Sequence, residues 1–90
     1  MDHHYAEPHE VMYHTQLSRE MLMGADTALL PGDPGRVRSL AEAMGPTVDL
    51  TSHREYTSCL TQVQNRPVLV CSTGMGGPST AICLEELARL

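Results

Sequence analysis

Two glycine-rich bends in this chain have the composition of an anion seat. The first is Pro31-Gly32-Asp33-Pro34-Gly35-Arg36, and the second is Ser72-Thr73-Gly74-Met75-Gly76-Gly77-Pro78-Ser79-Thr80. A helix N-terminus presents unpaired N–H groups and a partial positive charge. Glycine removes the Cβ that would hold a phosphate oxygen away from those amides. Arg36 falls in the first turn after its bend, where a guanidinium could close over the anion. The second bend lacks the Gly-Lys-Ser/Thr of a P-loop, and Gly74, Gly76 and Gly77 have the wrong interval for a dinucleotide fingerprint. A third group, Ser52-His53-Arg54-Glu55-Tyr56, offers another Arg fork and two acid–base groups. Taken alone, each group has a plainer reading: a capped turn with an exposed Arg, a tight packing turn, and a solvated strand.

The elements around these groups follow from hydrophobic periodicity. Residues 25–31 (ADTALLP) read as a short buried strand that runs into the first bend. Val37, Leu40, Ala41 and Met44 then recur at helical spacing, with Asp33 at the N-cap, Pro34 at the first helical position and Gly45-Pro46 as the stop. Three short strands are expected over 47–71. The middle one has Tyr56 and Leu60 on one face and Cys59 and Val63 on the other. Val68-Leu69-Val70-Cys71 is a continuous apolar run, as in a strand covered on both faces. A last helix opens at Pro78 or Ser79, with Ile82, Leu84, Leu87 and Leu90 apolar and Glu85, Glu86 and Arg89 polar. The order β-α-β-β-β-α predicts an α/β fold with a mixed sheet. The buried-type strand and a final helix without a stop imply a portion of a larger domain. Residues 1–11, with three His, read as a flexible leader.

Composition narrows the function classes. The formal charge is −5, which argues against a nucleic acid partner. All six cations are Arg, a planar fork suited to phosphate and carboxylate. The three Cys form no Cys-x-x-Cys pair, so neither a disulfide framework nor a zinc site is expected and the compartment reads as reducing. No apolar stretch approaches a membrane span, and the N-terminus lacks the features of a signal peptide. A cytoplasmic protein is the expectation.

LLPGDPGRV, SHREYTS and VLVCSTGMGGPST followed by EELARL occur in order over residues 12–90. In these motifs the chain resembles the N-terminal part of the uridine phosphorylases, within the nucleoside phosphorylase superfamily. Purine-directed relatives resemble it at PGDP and less well at SHREY and CSTGMGGPS. The resemblance implies phosphate-dependent cleavage of uridine to uracil and ribose 1-phosphate, in pyrimidine salvage. It assigns phosphate contacts to Gly32 and Arg36, with Thr73 and Gly74 lining the site. Arg54 matches an arginine that reaches a neighbouring subunit's phosphate, and His14 matches a histidine that crosses the dimer interface to the ribose. Glu55, Ser79 and the backbone of Met75 match positions that hold a monovalent cation, potassium, between subunits in some members. No organic cofactor is implied. Full-length relatives are hexamers built from dimers.

The same resemblance implies that a further phosphate-binding Arg and Thr, a Met-Glu ribose segment and the Gln/Arg residues that read uracil lie outside these 90 residues. The chain alone is therefore expected to be inactive. Two other readings stand beside this one. One is a non-catalytic phosphate-binding or interaction module, and the other is a metal-binding protein that uses His3, His4 and His9.

Overall fold

A computed structural model describes residues 6–74 and 76–90. The elements are a 3-10 turn at Glu20–Leu22, β1 (Ala28–Leu29), a 3-10 turn at Pro34–Arg36, α1 (Val37–Met44), β2 (Thr47–His53), β3 (Tyr56–Val63), β4 (Arg66–Cys71) and α2 (Gly77–Ala88). The four strands form one sheet in the order β1-β4-β3-β2. β1 runs parallel to β4, and the other two pairs are antiparallel. This is the mixed α/β sheet, in the order β-α-β-β-β-α, that the periodicity predicts.

Every side chain from Val68 to Cys71 is buried, because β4 is covered on both faces. On one face, Val70 and Cys59 pack against Val37 and Ala41 of α1, with Leu40 and Met44 beside them. On the other, Leu69, Cys71 and Tyr56 pack with Cys83 of α2 and with Leu17 and Leu22 of the N-terminal segment. Burying a side chain such as Val70 contributes about 1.5–3 kcal/mol. The alternation expected for β3 holds, with Tyr56 and Cys59 in the two separate cores.

Two local expectations need correction. The strand expected over 25–31 shrinks to Ala28–Leu29, and both residues are exposed. It is an edge strand held by β4 alone among the described residues, so its outer side is open. The last helix begins at Gly77 and closes within the chain, where Arg89 N–H donates to Glu86 O. Its faces also differ: Leu84 is 52% exposed, whereas Glu86, expected on the polar face, is buried. Glu86 stands three residues after Cys83 and four after Ile82, so helical geometry turns it inward with them. Of the segment 1–11, residues 1–5 lie outside the described residues. Ala6 is buried, its N–H donates to Arg89 O at 3.0 Å, and Arg19 Nη2 donates to its carbonyl. No helix among the described residues is long and apolar enough to cross a membrane.

Gly45 ends α1 at a point of close backbone approach. A Cβ placed there would sit 2.3 Å from the carbonyl oxygen of Gln62 on β3. Gly45→Ala is therefore expected to lower stability by about 1–3 kcal/mol, the usual range for overpacking. A urea denaturation midpoint unchanged from the parent would refute this.

Candidate functional site

The two bends meet at the carboxyl ends of the parallel strands β1 and β4. In the first, Asp33 caps the turn by accepting from Gly35 N–H at 2.8 Å, and Arg36 N–H donates to Asp33 O at 3.0 Å. Pro34 supplies the fixed φ that starts the turn. Gly32 is half-buried and Arg36 is exposed at the base of α1. In the second, Thr73 N–H donates to Pro31 O at 3.0 Å, which ties one bend to the other. Thr73 is 4% exposed, and its hydroxyl donates to Gly74 O at 3.1 Å. Gly74 has φ +78°, the left-handed region that glycine enters at least cost.

The β2–β3 hairpin braces the second bend from beside it. Ser72 Oγ donates to Glu55 O at 2.5 Å and accepts from Thr57 N–H at 2.8 Å. Ser79 Oγ donates to Glu55 Oε2 at 2.5 Å, and Tyr56 OH donates to Ser79 O at 2.8 Å. The first turn of α2 is thereby pinned to the hairpin. Arg54 occupies the first of the two hairpin loop residues at φ 57°, a left-handed conformation that costs a non-glycine residue about 1–2 kcal/mol.

Arg54 and Glu55 line a cavity of about 500 Å³ together with His14, His53, Tyr13 and Ile82. Three of the expected site residues, His14, Arg54 and Glu55, therefore share one cavity. Gly32, Arg36, Thr73 and Gly74 gather instead at the bends. Glu55 joins the two groups, since its side chain lies against Gly74 and Ser79. Glu55 and Ser79 also bring together the oxygen donors expected for a cation. Met75, the third member of that set, lies outside the described residues, as do His3 and His4. No group of three or more His, Cys, Asp or Glu is placed to hold a metal among the described residues.

Sequence reasoning missed the group that holds His14. The buried carboxylate of Glu86 accepts from His14 N–H at 3.0 Å, from Thr15 N–H at 2.9 Å and from His14 Nδ1 at 2.8 Å. The His14 carbonyl lies 3.1 Å from His53 Nδ1. The signal was present in the sequence as an acidic residue inside the stripe Ile82, Cys83, Glu86, Leu90.

Both carboxyls sit below their ordinary range. For Glu86, burial alone would raise the pKa, but the Thr15 and His14 N–H groups and the imidazole outweigh it. For Glu55, the Ser79 hydroxyl leads, followed by its own backbone N–H and Arg54. The unfolded chain thus takes up protons that the folded chain refuses. Stability is full above the ordinary Glu value of about 4.3 and falls as pH drops below it through the folded pKa values. Urea midpoints at about pH 7 and about pH 3.5 are expected to differ, the acid one being lower.

Comparison with known proteins finds similarity along most of the chain. Uridine phosphorylase from Escherichia coli is 49% identical over 79 residues, which is 88% of this chain. The chain is homologous to the uridine phosphorylases. Uridine phosphorylase from Haemophilus influenzae is 48% identical over the same length, and that from Thermococcus kodakarensis is 45% identical over 62 residues, 69% of the chain. A guanosine phosphorylase from Halorubrum lacusprofundi is 38% identical over 65 residues, so purine-directed proteins also resemble this uridine phosphorylase homologue. The matched residues span 31% of the length of the Escherichia coli and Haemophilus relatives and 22% of the Thermococcus one. No family model matches the chain.

Proposed function

We propose that this chain forms the phosphate-seating part of a uridine phosphorylase-type nucleoside phosphorylase, which cleaves uridine with orthophosphate to uracil and ribose 1-phosphate. The observation that carries the reading is the hydrogen bond from Thr73 N–H to Pro31 O. It sets both glycine bends side by side at the carboxyl ends of two parallel strands, where open α/β sheets bind ligands. Gly35 N–H is already engaged by Asp33. The Arg36 and Thr73 N–H groups are engaged as well, so an anion there turns to the Gly32 and Gly74 N–H groups, the Arg36 guanidinium and the Thr73 hydroxyl.

His14 and Arg54 line their own cavity rather than the bends. That separation favours a shared site, in which Arg54 serves the phosphate and His14 the ribose of a neighbouring subunit. The assembly is then a homo-oligomer built from dimers, in the cytoplasm. Glu55 and Ser79, with the Met75 backbone, would hold a potassium ion between subunits. Hard oxygen donors suit such an ion, and its charge would fix the bends against the neighbour.

Chemistry at such a site needs no covalent enzyme group. A phosphate oxygen bonds to the anomeric carbon as the glycosidic C–N bond breaks, and uracil leaves with the bonding electrons. Arg donors hold the nucleophile in line, and the phosphate charge stabilises the oxocarbenium-like sugar. The Cys59 thiol is pushed up to about 11 by burial and by its hydrogen bond to Asp49. Such a thiol is protonated at neutral pH and serves packing.

A chimera tests this reading. The 79 matched residues are placed in the Escherichia coli uridine phosphorylase, replacing its own. The chimera is expected to phosphorolyse uridine, and the 90-residue chain alone is not. Arg36→Ala in the chimera is expected to raise KM for phosphate by at least about tenfold, since charge-assisted hydrogen bonds contribute about 1.5–3 kcal/mol. A chimera that folds without activity, or an unchanged KM in the variant, would contradict the assignment.

A further inference from the structure

We infer that Glu86 is a positioning residue: it locks the His14 imidazole in one tautomer, so that Nε2 faces the cavity as a hydrogen-bond acceptor for a sugar hydroxyl. The sugar rests on the nucleoside reading above, whereas the tautomer does not.

The geometry points to this from three sides. Glu86 Oε2 accepts from both the backbone N–H of His14 and its ring Nδ1, so it fixes the backbone and the ring of one residue together. Glu86 Oε1 accepts from the N–H of Thr15, which is fully buried, and so the carboxylate itself cannot swing. The Glu86 side chain is 11% exposed and that of His14 is 46% exposed, so a buried anchor holds a ring whose other end reaches the cavity. A neutral imidazole has one N–H and one lone pair, and the partner of one nitrogen decides the state of the other. A carboxylate only accepts, so Nδ1 carries the proton and Nε2 carries the lone pair. Among the described residues Nε2 has no hydrogen-bond partner. Thr51 Oγ1 donates to Thr15 O at 2.9 Å, which ties the same segment to β2 and holds the ring's base still.

A merely structural Glu86 would hold the segment and leave the ring's proton unspecified. Nitrogen-15 NMR of the histidine rings in the 90-residue chain separates the two roles. The parent is expected to show His14 as the Nδ1–H form. In Glu86→Ala, no acceptor stands at Nδ1, so the ring is expected to shift to the Nε2–H form that an unpartnered imidazole favours. A parent that shows the Nε2–H form or an even mixture overturns the inference. So does a folded Glu86→Ala chain with the parent's spectrum. If the variant does not fold, the parent spectrum alone decides.

The uridine phosphorylase chimera supplies the second readout. There Glu86→Ala is expected to raise KM for uridine about tenfold and to leave KM for phosphate at the parent value. Equal rises in both constants would overturn the positioning role. An inactive parent chimera would remove the nucleoside reading, while the ring spectra would still decide the tautomer.

Discussion

Glu86→Ala is expected to lower stability by about 2–4 kcal/mol, more than any other single change considered for this chain. The carboxylate bonds two backbone N–H groups and a ring nitrogen, and one of those amides, Thr15, is fully buried. Alanine would leave the Thr15 N–H without a partner, and each unsatisfied buried donor costs about 1–3 kcal/mol. The loss is local in origin. The segment carrying Leu17 and Leu22 packs on the α2 side of the sheet, so its release would open that core. Chemical denaturation gives the magnitude, and amide exchange at Thr15 should accelerate ahead of β4. A loss below about 0.5 kcal/mol would mean that water replaces the carboxylate freely.

Gly74→Ala is expected to be the most damaging change at the bends, at about 2 kcal/mol, with phosphate binding weakened as well. Two effects add. The residue sits at φ +78°, where a Cβ is strained whatever the space. That Cβ would also lie 3.0 Å from Glu55 Cγ and 3.1 Å from Glu55 Cβ, pushing the carboxylate off Ser79. Gly76→Ala is the natural control. A Cβ there meets only Pro78 Cδ, at 3.8 Å, and φ is −108°. Denaturation midpoints should therefore fall for Gly74→Ala and stay near the parent for Gly76→Ala. Equal effects at both positions would show that the bend tolerates side chains generally.

The contrast between these residues shows what the sequence made legible. β4 and α1 were readable because burial imposes a period, and Asp33 was readable because a cap needs an acceptor at one position. The bends were readable because few other contexts favour so much glycine. Glu86 was not, because charge by itself suggests solvent, and only its place in an apolar stripe hinted at an inward turn. Nor were the roles of Ser72 and Tyr56, which depend on the hairpin lying beside the second bend. β1 was overread: an apolar run predicts a buried strand, but burial depends on neighbours that the run does not encode.

Backbone amides at both bends should respond as one set to added orthophosphate. The direct measurement is a titration followed by amide nitrogen–proton NMR on the folded 90-residue chain. Shifts at Gly32, Arg36, Thr73 and Gly74 that saturate along a single curve are the expected result. Shifts confined to one bend, or found only among the N-terminal histidines, would contradict a common phosphate seat.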